Sequence, residues 1–375
     1  MRVQDKKRLL LASVLKPVDE PRMCERMGKS LAKHGFEVFI AGFPASSNTS
    51  VEGITFLPHQ KFKRISLSRI EVRFKILRKA ISLNPDLIIV TTHELIGVAL
   101  LFKFFTGKKI VYDVQENYWR NIMYTNAWPK FIRPLIAFPV RWKEWITSPF
   151  FSKFLLAEKC YVAELSFVRE KSVVIENKCL VPPAFQRKPS NEIIQLIFTG
   201  TIAESTGIFE AIDLAKKLFQ IEPRIRLTIV GQSPQSRTLL RIEKEVLENS
   251  FIQLIGGKEF VSHDKILNAI SSANFGIVSY PSSPHTRDKI PSKLYEYLAC
   301  RLPMIVKDNK YWVDLCVPSK AAILVDFQNP DANAILDAMR KSQFYTQEPE
   351  NVLWDSEEGH LLRTINSLYL LAIGC

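Results

Sequence analysis

Two carboxylates eight positions apart, Asp288 and Glu296, form the most informative pattern in the sequence. Pro291 lies between them, and proline suits the first position of a helix because its missing N–H and fixed φ cost nothing there. We therefore expect Asp288 in a loop before a helix and Glu296 about a turn and a half inside it. Free N–H groups of a first helical turn bind anions, so the pattern predicts an anion site flanked by two carboxylates. An ordinary amphipathic helix with Asp288 as a solvated cap explains the segment equally well.

Such a site suits a nucleotide sugar, which carries a diphosphate between two hydroxyl-rich rings. Glycines support this interpretation, because they follow three predicted strands of the second half: Gly200 and Gly207, then Gly231, then Gly256 and Gly257. Glycine lets the backbone approach a ligand, and a phosphate can meet the N–H groups where the next helix begins. The turns predict one nucleotide-binding edge, although simple tight turns would leave the same pattern.

Length and composition describe an ordinary globular protein of two domains. The chain has 375 residues, 47% of them hydrophobic and 24% charged, with a formal net charge of +13. A basic balance favours anionic partners such as nucleotide diphosphates or acidic membrane surfaces. Nucleic acid is disfavoured because no recognition motif accompanies the charge. The six cysteines are scattered without metal-ligand spacing, which indicates a reducing compartment and argues against zinc or a disulfide framework.

One segment of the sequence has a composition that suits contact with a membrane surface. The apolar run Leu9–Leu15 imitates a signal peptide but runs into a charged loop, so we interpret it as a buried strand. No stretch reaches the ~18–20 apolar residues that span a bilayer, and we expect a cytoplasmic protein. Residues 128–154 interleave aromatic side chains with Lys and Arg, which suits contact with anionic lipid as well as it suits a buried aromatic core with cations outside.

Short apolar runs alternate with helical patterns along almost the whole chain. Continuous apolar runs bounded by turn residues are typical of parallel strands buried on both faces, and helices between them imply βαβ crossovers. The predicted strands are Leu9–Leu15, Glu37–Phe43, Leu87–Thr91, Lys109–Asp113, Phe154–Ala157, Val173–Glu176, Ile194–Thr199, Arg226–Gly231, Phe251–Ile255, Phe275–Tyr280, Met304–Lys307 and Ala322–Asp326.

The pattern predicts two doubly wound, Rossmann-like α/β domains that face a cleft. The first spans residues 1–182 and binds the acceptor, and the second spans residues 183–350 and binds the nucleotide. A helix in residues 351–375 is expected to pack back on the first domain. Ligands in such sheets bind at the carboxyl ends of the strands, where the strand order reverses.

The order of these features resembles a known family. A strand, the Gly200 turn, a helix, Ile-Val-Gly231, Gly256-Gly257 and then Asp288…Pro291…Lys293…Glu296-Tyr297 is similar to the carboxyl domain of retaining glycosyltransferases of family 4, which have the GT-B fold. The resemblance implies that Glu296 holds the nucleotide ribose and that Asp288 meets hydroxyls of the transferred sugar. Backbone N–H groups near Lys289 and Ile290 would meet the diphosphate, beside the turn glycines Gly200, Gly207 and Gly231.

The first half agrees with this resemblance. Residues 111–118 are similar to a Tyr-Asp-x-His-Glu segment of many members, which brings Asp113, Gln115 and Glu116 to the acceptor side. Arg22 follows Pro21 at a predicted helix start, where it could grip an acidic acceptor or form a surface salt bridge. His93 follows a buried strand and could order an acceptor hydroxyl for catalysis or serve as a structural cap.

Several positions depart from the family pattern. Thr201 and Thr206 stand in the Gly200 turn, where members carry Arg or Lys, and Gln115 stands where His is common. Cations for the diphosphate could instead come from Arg287, Lys289 or Lys293. No Asp-x-Asp motif is present to hold a metal–nucleotide complex, so we expect metal-independent stabilisation of the leaving diphosphate by cationic side chains and a helix N-terminus.

We therefore predict a retaining glycosyltransferase that moves a sugar from a nucleotide-diphosphate sugar to a glycan or lipid-linked acceptor. The setting would be the assembly of surface polysaccharide or lipopolysaccharide, on the inner face of the plasma membrane. A catalytically silent relative that binds nucleotide sugar or glycan as a partner subunit is the alternative. A GT-B epimerase is disfavoured because the acid/base set that it needs cannot be assembled from this sequence.

Overall fold

The protein is described by a computed structural model that covers residues 6–45, 50–62, 66–125, 128–182, 184–259 and 261–370. Its contacts divide the chain into two compact units, one formed by Met1–Asn177 with Trp354–Cys375 and the other by Lys178–Leu353. Residues 178–182 thus group with the second unit, whereas the sequence pattern assigned them to the first domain. Pro183, at the predicted boundary, lies outside the described residues.

Each unit is built on one sheet of parallel strands. The first sheet contains β1 (Arg8–Pro17), β2 (Glu37–Phe43), β3 (Ile54–Pro58), β4 (Leu87–Val90), β5 (Lys109–Val114), β6 (Lys153–Leu156) and β7 (Ser172–Val174). The second contains β8 (Ile194–Thr199), β9 (Ile225–Gln232), β10 (Ile252–Gly257), β11 (Phe275–Val278), β12 (Met304–Lys307) and β13 (Ala322–Val325).

The helices connect the strands within each unit. They are α1 (Lys29–Lys33), α2 (Ser68–Leu83), α3 (Ile96–Thr106), α4 (Tyr118–Tyr124), α5 (Arg133–Thr147), α6 (Tyr161–Glu164), α7 (Ile208–Ile221), α8 (Ser236–Glu248), α9 (His263–Ser272), α10 (Ser292–Ala299), α11 (Lys310–Cys316), α12 (Ala332–Lys341) and α13 (Asp355–Leu370). A π-helical segment, Arg22–Gly28, leads into α1, and single 3₁₀ turns cover His93–Leu95, Ser148–Phe150, Ser166–Lys171 and Glu204–Thr206.

Both sheets are doubly wound, as the sequence predicts. The strand order is β3-β2-β1-β4-β5-β6-β7 in the first and β10-β9-β8-β11-β12-β13 in the second. All the pairings between these strands are parallel, and every predicted strand is present. The order reverses beside β1 in one sheet and beside β8 in the other, so ligand sites are expected at the carboxyl ends of these strands.

The strand β3 was missed by sequence reasoning. It is one of the two edge strands of the first sheet, and its residues are exposed or only partly buried. A partly exposed edge strand does not need a continuous apolar run. Such a run was the pattern that predicted the other strands. The central strand β4, by contrast, is buried at each of its four positions.

The last helix, α13, belongs to the first unit. Leu361 and Ile365 on this helix are fully buried. The indole N–H of Trp354, just before the helix, donates to Ser30 Oγ at 2.8 Å, and Glu357 Oε2 accepts from the backbone N–H of Glu176 at 3.1 Å. The helix begins at Asp355, four residues after the start of the predicted segment, and residues 371–375 lie outside the described residues.

Candidate functional site

A cleft of about 250 Å³ opens at the carboxyl ends of β8 and β9. It lies at the edge of the sheet where the strand order makes a ligand site expected. Its lining combines the two glycine turns with apolar side chains from the start of α9: Gly200, Thr201, Gly231, Gln232, Pro234, Val261 and Ile266. The predicted donor residues Gly200, Thr201 and Gly231 are thus brought together.

The two turns can approach each other closely because Gly231 has no side chain. Gly231 has a φ of +150°, and a Cβ built on it would overlap the carbonyl of Gly200 on the neighbouring turn. A Cβ on Gly200, whose φ is +91°, would meet no atom within 4 Å. The Gly200 turn is therefore open on the side that a ligand would use, while Gly231 is required by the close approach of the two backbones.

Thr206 and Gly207 shape this turn instead of lining the cleft. The Thr206 hydroxyl donates to the carbonyls of Thr201 and Ala203 at 2.9 and 2.8 Å and accepts from the Ala203 N–H. Gly207, with φ of +82°, packs so tightly against Ser279 that a Cβ would overlap its carbonyl. Thr206 was predicted to bind the donor together with Thr201, and in the structure its hydroxyl is engaged by the backbone of its own turn.

The helix α10 begins at Ser292, and Pro291 is the residue before it, with φ −59° and ψ 137°. Proline therefore caps the helix from outside instead of occupying its first position. Within the described residues, no side chain hydrogen-bonds to cap this end of the helix. The backbone N–H of Lys289 donates to the Thr286 carbonyl at 3.1 Å, so the structure does not leave it free for an anion as expected. Ile290 packs against the apolar core of the second unit.

Glu296 lies one helical turn into α10 and is held by a histidine that sequence reasoning missed. His263 Nε2, at the start of α9, lies 2.7 Å from Glu296 Oε1. The side chain of Glu296 is 14% exposed and that of His263 is 32% exposed, so the pair is accessible from solvent. The hint in the sequence was that His263 stands in the segment that follows the glycine-terminated strand β10. Asp288 lies in the loop before α10, 28% exposed, with its Oδ2 3.4 Å from Arg287 Nε.

The next helix residue, Tyr297, ties α10 to the central strand. Its hydroxyl accepts from the Thr199 backbone N–H at 3.1 Å and lies 3.0 Å from the Thr199 hydroxyl. Burial, opposed by the hydrogen bonds to Thr199, raises the pKa of Tyr297 far above its usual range. The phenol therefore stays protonated and fixes α10 against the residue that precedes the Gly200 turn.

In the first unit, three of the four predicted acceptor residues form a single buried network. Arg22 Nη2 donates to Asp113 Oδ1 at 2.7 Å, and Gln115 Nε2 donates to Asp113 Oδ2 at 2.7 Å. Arg22 Nη1 also donates to the Ile175 carbonyl and to Asn177 Oδ1. Arg22 and Asp113 are 2% and 0% exposed, so the expectation of Arg22 at a surface is corrected. A guanidinium that donates to three partners in the interior is not placed to grip an acceptor.

His93 and Glu116 lie at the carboxyl ends of β4 and β5, where His93 is half-buried and Glu116 is exposed. Glu116 is exposed, with its Oε2 accepting from Asn121 Nδ2 at 2.8 Å. His93 Nδ1 lies 3.2 Å from Lys143 Nζ. Burial, and then the charge of Lys143, lowers the pKa of His93 to about 3. The imidazole is therefore neutral, and because the ammonium can only donate to Nδ1, its proton is on Nε2.

A second cavity, of about 530 Å³, lies in the first unit between β3 and α2. None of the predicted site residues lines it, and its walls come mainly from α2 and the segment 57–62. In the described residues, three or more His, Cys, Asp or Glu side chains nowhere converge as metal ligands would. The same part of the chain contains no helix that is long and apolar enough to cross a membrane.

Residues 184–345 match the family of glycosyl transferases group 1. The matched span covers the predicted donor residues from Gly200 to Glu296, so the resemblance to glycosyltransferases is confirmed for the second half of the chain at the level of this family. No curated protein sequence matches this chain.

Solved structures match the chain over nearly its whole length. Sucrose-phosphate synthase from Thermosynechococcus elongatus gives a TM-score of 0.73 at 15% identity, covering 98% of this chain and 100% of that chain. HepE from Anabaena, in complex with UDP-glucose, gives 0.68 at 13% identity and covers 96% and 99%. Trehalose 6-phosphate synthase from Burkholderia multivorans gives 0.64 at 11% identity and covers 98% and 99%. At these identities the likeness establishes the fold, which is of the GT-B type.

Proposed function

We propose, on the premise that residues 184–345 resemble glycosyl transferases group 1, that this protein transfers a sugar from a nucleotide-diphosphate sugar to a glycan or lipid-linked acceptor. The observation that carries the proposal is the glycine-lined cleft at the ends of β8 and β9, with Glu296 held by His263 on the adjoining α10. The complex of HepE with UDP-glucose, on the same fold, supports a donor of this class.

The donor is assigned to the second unit, residue by residue. The nucleotide occupies the cleft, and Glu296 accepts hydrogen bonds from the ribose hydroxyls. The diphosphate lies over the open Gly200 turn, where no Cβ intrudes, and Asp288 meets hydroxyls of the transferred sugar. His263 holds Glu296 Oε1, so it orients the carboxylate and leaves Oε2 for the ribose.

The proposed reaction retains the anomeric configuration and needs no divalent metal. The bond between the sugar C1 and the phosphate oxygen breaks, and the acceptor oxygen forms a bond to C1 on the same face. The acceptor proton passes to the leaving phosphate, whose charge is stabilised by cationic side chains and the start of α10. Unchanged turnover in the presence of a chelator such as EDTA is the expected behaviour.

The acceptor is assigned to the first unit. Glu116 is exposed and can accept a hydrogen bond from an acceptor hydroxyl, whereas the neutral His93, with its proton on Nε2, can donate one. Because Arg22 and Asp113 are buried together, they are proposed to position β5 and the loop that carries Gln115 and Glu116.

The first unit also carries an exposed aromatic stripe that supports a lipid-linked acceptor. The α5 stripe consists of Leu135, Phe138, Trp142 and Trp145, spaced three and four residues apart along one face of the helix and each more than half exposed, and the exposed Phe131 lies just before the helix begins. The one acid in α5, Glu144, is buried. An apolar helix face without exposed carboxylates, in a chain of net charge +13, suits an anionic membrane surface.

A donor panel tests the enzyme directly. We expect the purified protein to hydrolyse or transfer sugar from one of the UDP-, GDP-, ADP-, CMP- or dTDP-sugars, and Glu296→Ala to lower kcat/KM by about 100-fold or more because the ribose loses its carboxylate partner. Glu348→Ala, an exposed acid of the same unit, is the matched control and should leave turnover unchanged. If Glu296→Ala and wild type show equal turnover, Glu296 is not part of the donor site.

The alternative function, a silent relative that binds donor as a partner subunit, is favoured by one observation. The Gly200 turn contains no cation, and the Thr206 hydroxyl is consumed by the turn itself. Thermal stabilisation by one nucleotide without consumption of any donor would support this alternative. If neither a nucleotide nor a glycan binds and no donor is consumed, neither function stands.

Membrane contact predicts a measurable loss on changing the α5 stripe. The double variant Phe138→Ser with Trp142→Ser should bind vesicles containing anionic phosphatidylglycerol about tenfold more weakly, since two large apolar contacts are removed. Cosedimentation with vesicles measures the change. Leu247→Ser, which alters an exposed leucine of the second unit, is the control and should bind as wild type does. Vesicle binding that depends neither on the α5 stripe nor on anionic lipid would contradict the membrane proposal.

A further inference from the structure

The amine of Lys293 is buried. The residue is 5% exposed, and its Nζ makes no hydrogen bond in the described part of the chain. Instead the nitrogen lies over two aromatic rings, 3.5 Å from the ring centroid of Phe198 and 5.2 Å from that of Tyr280. Buried lysines without partners are costly, so this one needs a reason.

Because of its surroundings, the amine of Lys293 can gain or lose its proton near neutral pH. Burial lowers the pKa of Lys293 to about 7, and the nearby Glu296 carboxylate opposes this effect only in part. The other titratable groups around it are phenols and an imidazole: Tyr280 beneath the amine, Tyr297 bonded to Thr199, and His263 bonded to Glu296. Near neutral pH, a new negative charge in this place would therefore bring a proton onto the lysine.

The position of Lys293 fits such a charge. It is the second residue of α10, in the turn whose N–H groups have no side-chain cap. Phe198, on which its amine rests, is followed directly by Thr199 and the Gly200 turn. The lysine thus connects the start of α10 with the strand that leads into the Gly200 turn, and the proposed function assigns the diphosphate to these two elements. The Gly200 turn itself contains threonines and no cation.

We propose that Lys293 is the cation that neutralises the diphosphate of the donor, and that it takes up one proton from solvent when the donor binds. This inference rests on the proposed function, because it needs a nucleotide-diphosphate ligand. It assigns to one buried side chain of α10 the charge that is absent from the Gly200 turn. The aromatic rings then hold the protonated amine in place, since ring faces attract cations.

Proton uptake gives the affinity a defined pH dependence. Below pH 7 the amine is already charged and the donor binds without a proton from solvent. Above it, a growing fraction of the free protein is neutral, so the affinity should fall by up to about tenfold per pH unit. Calorimetric titration with UDP-glucose, GDP-mannose and ADP-glucose at pH 6, 7 and 8 measures this dependence. Two buffers of different ionisation heat at pH 8 then count the protons taken up.

Variants of the lysine separate charge from packing. Lys293→Met keeps the length of the side chain without its charge, and we expect about 10- to 100-fold weaker donor binding at pH 6 and no proton uptake at pH 8. Lys293→Arg keeps a permanent charge and should bind without a pH dependence in this range. Lys310→Met, which removes an exposed lysine at the start of α11, is the control and should match wild type. Ordinary histidines are neutral by pH 8, so the proton count there reports on the lysine.

The outcomes distinguish this inference from the proposed function. If wild type binds a donor and Lys293→Met binds it equally well, the inference is wrong and the proposed function stands. Absence of proton uptake by wild type at pH 8 also overturns it, whatever the variants do. If wild type binds none of the three donors nor any other sugar nucleotide of the panel, the proposed function and the inference fail together.

Discussion

Replacing Asp113 by alanine is expected to lower the free energy of unfolding by about 3–5 kcal/mol, because it leaves the Arg22 guanidinium buried without its carboxylate. The pair is 2.7 Å apart, and Arg22 and Asp113 are 2% and 0% exposed. Asp113 also accepts from Gln115, so that amide loses its partner as well. Urea denaturation followed by circular dichroism measures the change.

An exposed ion pair of the same unit provides the control. Arg8 Nε and Glu37 Oε2 are 3.0 Å apart, at 50% and 40% side-chain exposure. Since surface pairs contribute about 0–1 kcal/mol, Glu37→Ala should change the stability by less than about 1 kcal/mol. If Asp113→Ala and Glu37→Ala lower the free energy of unfolding by similar amounts, the buried pair contributes no more to stability than the exposed pair does.

The change Lys293→Met is expected to act in the opposite direction and stabilise the protein in the absence of donor. The cost of burying this amine appears in its pKa, which burial lowers from 10.5 to about 7. Removing that cost should raise the free energy of unfolding by about 3 kcal/mol at pH 7. Thermal and urea denaturation without nucleotide measure it, with Lys310→Met as the control that should change little.

The gain from Lys293→Met should depend on pH with a definite sign. Between pH 7 and about 10 the unfolded chain keeps the lysine proton that the folded protein has lost. Wild type is therefore stabilised as the pH rises through this window, and its difference from the variant shrinks. We expect the difference to be largest at and below pH 7 and clearly smaller at pH 9.5. A variant that is less stable than wild type at both values would show that the amine has a favourable partner in the fold.

The fold could be predicted from the sequence because its central strands are buried on both faces. Runs such as Leu87–Thr91 contain only residues that a sheet interior accepts, and Gly231 near the end of β9 marks the turn that follows. The edge strand β3 could not be found in this way, since exposure relaxes its composition. Its existence depends on pairing with β2, which is a contact that local pattern does not encode.

The candidate site could be predicted only where backbone conformation dictates the residue. Gly200 and Gly231 were recognised because turns of this kind need glycine, and both line the cleft. Arg22 was misinterpreted because its partner, Asp113, lies 91 residues away, and nothing at either position indicates the pairing. A basic residue near a proline at a helix start is usually exposed, so local sequence favoured the surface.

The direction of a side chain was the other quantity that sequence could not supply. Lys293 was one of three cations considered for the diphosphate, and only the structure shows that its amine is turned inward onto Phe198. His263 carried too weak a signal to be singled out, because its importance comes from the carboxylate of Glu296 on another helix. Lys293 and His263 are both identified by contacts between α10 and its neighbours.

The chain returns at its end to complete the unit with which it began, and this affects how the protein can fold on the ribosome. Trp354 and the buried face of α13 fill part of the first unit, yet they are synthesised after the whole second unit. At ~5–20 residues per second, residues 178–353 take roughly 10–35 seconds to translate. During that interval the nascent first unit exposes the apolar surface that α13 later covers, which makes it a natural client for chaperones.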